Sequence, residues 1–143
     1  MISFSIARIT LSLSPLVISD DPAGAYVFDD ADDIPRPSFD YVRSYAPDSQ
    51  IFRRELLRAK REAVDVPMGV KVQGTSAADF EAKKLALEVA LSQFVWDGTL
   101  THDGQATTYE CEVCAPAWSQ DSGMLRQHMA KATITVPINP PGA

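Results

Sequence analysis

The chain has 143 residues, enough for one domain that buries roughly 70% of its unfolded surface without help from a disulfide or a metal. A hydrophobic share of 45% and a charged share of 22% are those of an ordinary globular protein, and no window approaches the ~20 apolar residues of a membrane span. The net charge of −6 argues against a general nucleic-acid binder and against adhesion to an anionic membrane, both of which call for a basic face.

The opening run MISFSIARITLSLSPLVIS has no basic leader, and its apolar residues alternate with Ser and Thr, so it reads as strand and not as a signal peptide. Two cysteines without a secretion signal then imply a protein made in a reducing cytosol. Ile2, Phe4 and Ile6 share one phase, while Ile9, Leu11 and Leu13 take the other. A phase slip at Ala7-Arg8 is what a bulge or tight bend produces, and Leu16-Val17-Ile18 predicts a further short strand after Pro15. Residues 19–38 are rich in Asp, Pro and Gly and predict a long loop or arm, in which only Tyr26-Val27-Phe28 is ordered enough to pair.

The run 50-QIFRRELLRAKREA-63 fits helical spacing through Phe52, Leu56, Ala59 and Ala63, and fits a charge-studded edge strand equally well. Val64, Val66, Met68, Val70 and Val72 then alternate without a break. Pro67 sits on the opposite phase and cannot donate to a ladder, which places that strand near an edge. Gly74 closes it. Ser76 and Asp79 cap an amphipathic helix over about 76–93, with Phe80, Leu87 and Leu91 on its inner face and Glu81, Lys84 and Glu88 towards water. Phe94 to His102 leads into Asp103-Gly104, a hairpin signal, and Tyr109, Cys111 and Val113 alternate beyond it. A final strand carries His128, Ala130, Ala132, Ile134, Val136 and Ile138 on one face. Residues 1–143 thus predict a single α+β domain: mainly antiparallel sheets, sandwich-like or partly closed, with one helix packed on a sheet.

Candidate chemistry is sparse. Cys111 and Cys114 form a C-x-x-C, but residues three apart on a strand face opposite ways, so the two thiols cannot share a metal or a redox turn. A tetrahedral zinc site needs two more ligands, and His102 and His128 are the sole histidines. Asp29, Asp30, Asp32 and Asp33 resemble a calcium loop in charge, without its glycine or distal glutamate, and read as a solvated loop. Arg53, Arg54, Arg58, Lys60 and Arg61 are interleaved with Glu55 and Glu62, the pattern of an exposed face or a salt-linked subunit contact. His128 reads as a buried or interfacial histidine. No phosphate loop, nucleophile elbow or His-Glu-x-x-His pair occurs, so no catalytic, cofactor or metal residue is assigned and no enzyme is expected.

One long stretch carries a resemblance. The run 66-VPMGVKVQGTSAADFEAKKLALEVALSQFVWDGTLTHDGQATTYECEVCAP-116 joins a strand ending V-x-V-x-G to a capped helix, a D-G hairpin and a Y-x-C strand. It is similar to the minor tail proteins of long-tailed bacteriophages, in particular to the ring-forming N-terminal domain of distal tail proteins. The closing 132-ATITVPINPPG-142 resembles the last strand of such domains, so the likeness spans roughly residues 60–140. The resemblance implies a structural virion protein: a homohexameric ring or adaptor at the tail tip, made in the host bacterial cytoplasm. Its implied partners are the tail tube, the tape-measure protein and tip proteins, with no specific nucleic-acid binding. Distal tail proteins usually add a second, carbohydrate-binding-like domain, for which 143 residues leave no room, so receptor binding is not implied. Two other readings stand beside it: a tail terminator ring, and a non-catalytic cellular ligand-binding or adaptor module.

Overall fold

The computed structural model describes residues 2–29, 37–39, 41–45, 56–119 and 122–140. Alternation of apolar and polar residues builds the first hairpin, β1 (Ile2–Arg8) and β2 (Leu13–Ser19). Its ladder pairs Ile6 with Leu16 and then Arg8 with Leu13, so the register slips at Ala7 as the phase change predicts. A single turn of 3-10 helix at Ile9–Leu11 closes the hairpin, with Ser12 in the left-handed region at φ 53°. β3 (Tyr26–Phe28) lies parallel to β2 at Ser19–Val27 and antiparallel to β6 (Val64–Gln73). Helix α1 (Ala77–Leu91) follows, then the hairpin of β7 (Val95–His102) and β8 (Gln105–Glu112). Asp103 and Gly104 at its tip both have positive φ, 48° and 83°, as a two-residue primed turn requires.

The last strand closes the structure. β10 (Met129–Asn139) pairs with β6 along its length and with β8 at Cys111–Ile138. Seven strands therefore form a closed barrel in the order β6-β3-β2-β1-β7-β8-β10 and back to β6. This corrects the sandwich-like expectation. Tyr26–Phe28 and β10 bridge what would otherwise be two opposed sheets, and closure removes their edges. The fold is β-rich with one packed helix. A short strand β9 (Pro116–Ser119) continues β8 along β10. Cys111 faces Ile138 and Pro116 faces Ile134, so one extra residue is accommodated between them, a bulge at 112–115.

Within 19–38, Tyr26–Phe28 pairs as the sequence suggests and forms part of the wall; residues 30–36 lie outside the described residues. The ambiguous run 50–63 is strand over Leu56–Arg61: this β5 pairs with β4 (Tyr41–Tyr45) in a separate two-stranded ribbon. Residues 50–55 lie outside the described residues. Pro67 falls on the stretch of β6 whose described partner is β10 alone, which is why a residue without an N–H is tolerated there.

The interior is filled by Phe4, Ile6, Ile18, Val70, Trp96, Ile134 and their neighbours, with α1 laid against them through Phe80, Leu87, Ala90 and Leu91. Each large side chain so buried contributes about 1.5–3 kcal/mol. Ser76 Oγ accepts from Asp79 N at 3.1 Å and Asp79 Oδ2 accepts from Thr75 N at 2.9 Å, fixing where the helix begins. Two glycines are needed for closeness. A Cβ on Gly74 would lie 2.6 Å from the Phe80 backbone, and one on Gly98 would lie 2.6 Å from Phe4 Cζ and 2.9 Å from Cys111 Sγ.

Candidate functional site: the outer surface of the barrel

The residues singled out for chemistry do not converge. Cys111 is fully buried on β8, and burial pushes its thiol up to about 12. Cys114 does not face away as an unbroken strand would dictate. The strand ends at Glu112, and the bulge turns Cys114 back so that it packs partly against the same core, its N–H donating to Leu91 O at 3.1 Å. Burial raises its thiol to about 11. Both cysteines are free, and thiols held neutral in this way are poor nucleophiles and poor metal ligands.

His102 stands at the far end of β7, with Nε2 3.5 Å from the Asp103 carboxylate and both side chains well exposed. His128 lies in the turn before β10, not on its buried face: its φ is 54°, and its backbone carbonyl accepts from Gly74 N at 3.0 Å. That corrects the expectation of a strand histidine. Asp29 is exposed and pairs with Lys131 at 3.2 Å, while Asp30, Asp32 and Asp33 lie outside the described residues. Arg53 and Arg54 do too; Arg58, Lys60 and Arg61 fall on β5. Among the described residues no group of three His, Cys, Asp or Glu could hold a metal ion, and no helix is long and apolar enough to cross a membrane.

The distinctive surface lies at the other end of β7–β8. Phe94 is 83% exposed, and its carbonyl accepts from Val113 N at 3.1 Å, so an exposed Val113 stands directly opposite it. Gln93, next in the chain, is buried and acts as a clasp. Its Nε2 donates to Ala7 O at 2.7 Å and to Ala90 O at 2.8 Å, while its Oε1 accepts from Thr10 Oγ1 at 2.7 Å. The 3-10 turn, with Ile9 75% exposed and Leu11 and Leu13 bare beside it, is thereby tied to the end of α1 next to Phe94. Leu85 and Val89, four apart and both exposed, share the outer face of α1, with Val89 in its last turn before Phe94.

One wall of this end is acidic. On the outward face of β7–β8, Val95 stands opposite Glu112 and Asp97 opposite Glu110, and all four are exposed. Like charges directly opposite one another destabilise a strand pair. Among the described residues no cation pairs with Asp97, Glu110 or Glu112; Glu110 accepts from Asn139 Nδ2 at 3.1 Å. The sequence reading missed this surface. The signal was the unbroken Phe94-Val95-Trp96 run, because a strand with three consecutive apolar residues must show at least one of them to the outside.

Compared with known proteins, the sequence matches no family model and no curated protein. The fold does match. A chain of the phage P2 baseplate in its activated conformation with Ca superposes with a TM-score of 0.63 at 10% identity, over 96% of this chain and 43% of that one. The same baseplate with Sr gives a TM-score of 0.61 at 10% identity and the same coverage. The chain thus spans less than half the length of the structures it resembles. At this identity the likeness establishes the architecture: the barrel with its packed helix is a fold found in a phage baseplate.

Proposed function

We propose that this chain is a structural subunit of a bacteriophage tail, a small barrel that joins with copies of itself into a ring or adaptor at the tail tip. The observation that carries this reading is the shared fold with a phage P2 baseplate chain over 96% of the sequence. A baseplate neighbour favours the tip over the head-proximal end, and hence a distal tail-like part over a tail terminator. The partners on this reading are the tail tube, the tape-measure protein and other tip proteins, the place is the virion, and the work is assembly in place of catalysis.

Charge distribution supports the same reading. Residues 41–61 hold six basic and two acidic residues, whereas the rest of the chain holds seven basic and seventeen acidic ones. A chain with a basic ribbon on an acidic body is complementary to another copy of itself in a head-to-tail sense, and such a contact closes into a ring when the rotation allows. An acidic lumen would also let DNA pass without phosphate contacts.

The test is sedimentation velocity with electron microscopy of the purified chain, alone and mixed with the tube and tip proteins encoded beside it. Closed rings of about six copies, alone or on the tube end, are expected. A monomer at every concentration that also fails to join those proteins rejects the reading and points to a cellular adaptor.

A further inference from the structure

We infer that the exposed corner formed by Phe94, Val113, Ile9, Leu11 and Val89, with the acidic wall of Asp97, Glu110 and Glu112, is the surface on which a second copy of this chain docks. This rests on the ring reading above and names the receiving side of its contact. Three features carry it. The first is clustering. Ile9, Leu11, Leu13, Phe94 and Val113 are all exposed within one end of the barrel, where the hydrogen bonds of Gln93 and Val113 bring their segments together, and clustered apolar exposure of this kind marks an interaction site.

The second feature is rigidity. Gln93 clasps the 3-10 turn to α1 by hydrogen bonds to Ala7 and Thr10, and Phe94 is anchored to Val113 through the backbone. The apolar residues are therefore held in place before a partner arrives, which lowers the ordering cost of association. The third is charge. Asp97 and Glu110 face each other across the ladder beside Glu112, and among the described residues no cation pairs with them, so a cationic neighbour would relieve their like-charge opposition. Two such walls cannot meet face to face, so the contact is head-to-tail. The chain itself contains the counterpart: residues 41–61 combine Ile51, Phe52, Leu56 and Leu57 with six basic residues.

The experiment uses the full chain and complementary defects. Phe94→Asp with Ile9→Asp removes the receiving side; Arg58→Glu with Lys60→Glu and Arg61→Glu removes the donating side. Each variant alone is expected to lose assembly, with the apparent affinity falling about 30-fold or more. Mixed together they should form one-to-one dimers and nothing larger, because each retains the half that the other lacks. Leu125→Asp, exposed in the short helix Ser122–Arg126 at the opposite end of the barrel, should assemble normally, and circular dichroism should show all variants folded. Wild-type rings that survive Phe94→Asp with Ile9→Asp overturn the inference while leaving the ring reading intact. A wild type that is monomeric alone, but binds a tube or tip protein and loses it through Phe94→Asp, overturns the second copy as occupant. A wild type that neither assembles nor binds those proteins removes the ring reading and this inference with it.

Discussion

Trp96 and Phe94 stand two residues apart on the same phase of the chain, each opposite a residue of the neighbouring strand, Cys111 and Val113. Trp96 is 4% exposed and Phe94 83%. The first has its ring edge-on to Phe4 at 6.1 Å and donates through Nε1 to Glu112 O at 3.2 Å. The second projects beyond the barrel. The difference is position along the barrel axis and not chemistry, and it separates two roles: an aromatic that leaves water on folding stabilises the fold, whereas one that stays in water is available to a partner.

Breaking the inner half of this pair should have the largest effect. Trp96→Ala removes a buried ring and leaves a cavity against Phe4, and is expected to cost about 3–5 kcal/mol, measured by urea unfolding. A loss below about 1 kcal/mol would mean that the barrel does not close around this residue. Next comes Gly98→Ala, on the same buried face one step further in. The new methyl would meet Phe4 and Cys111 at less than 3 Å, and Phe4 has no route to solvent because it is itself buried. Overpacking of this kind costs about 1–3 kcal/mol.

The interior also predicts a dependence on alkali. Burial raises Cys111 from the ordinary 9.0 to about 12, Cys114 to about 11, and Tyr26 from 10.0 to about 12. In each case folding favours the protonated form. Below pH 9 this contribution is fully present; above it the unfolded chain ionises first, and stability falls as pH rises towards the folded values. Unfolding free energy measured between pH 8 and 11 should therefore be level at first and then decline, less steeply in Cys111→Ala. A decline of equal slope in that variant would show that the Cys111 thiol is not shielded. The exposed corner contains no cysteine or tyrosine among the residues that form it and should add nothing to this titration.

Local chemistry made much of this legible in the sequence, and long-range closure made the rest illegible. Ser76 and Asp79 mark the start of α1, Asp103-Gly104 marks the hairpin, and the Ala7-Arg8 slip marks the first bend, because each is decided by neighbours within a few residues. The barrel depends instead on Tyr26–Phe28, three residues in an Asp- and Pro-rich stretch that join β2 to β6 across about forty positions of chain. No periodicity can show that. The cysteines failed for a related reason: period-two reasoning assumes an unbroken strand, and the bulge at 112–115 brings Cys114 back to the core. Phe94 reads as the first residue of a strand that in fact begins at Val95, since alternation gives a phase and says nothing of where the barrel stops. Ile9, Leu11 and Leu13 show the same limit, with an apolar alternation that ends in water.

The smallest expected effect sharpens the comparison most. Phe94→Ser deletes an aromatic ring as Trp96→Ala does, yet its ring is nearly as accessible in the folded chain as in the unfolded one. No transfer from water is lost and no cavity forms. The backbone bond from Val113 N to Phe94 O does not depend on the side chain. Stability measured on the dissociated chain should therefore stay within about 0.5 kcal/mol of the wild type. The measurement must be made at concentrations below assembly, because a contact that binds only the folded chain adds apparent stability in proportion to the copies present. The wild type should gain stability with concentration, and Phe94→Ser should lose that gain while keeping the value at infinite dilution. A deficit that persists at the lowest concentration would mean that Phe94 packs within its own barrel, and the outer half of the comparison would fall.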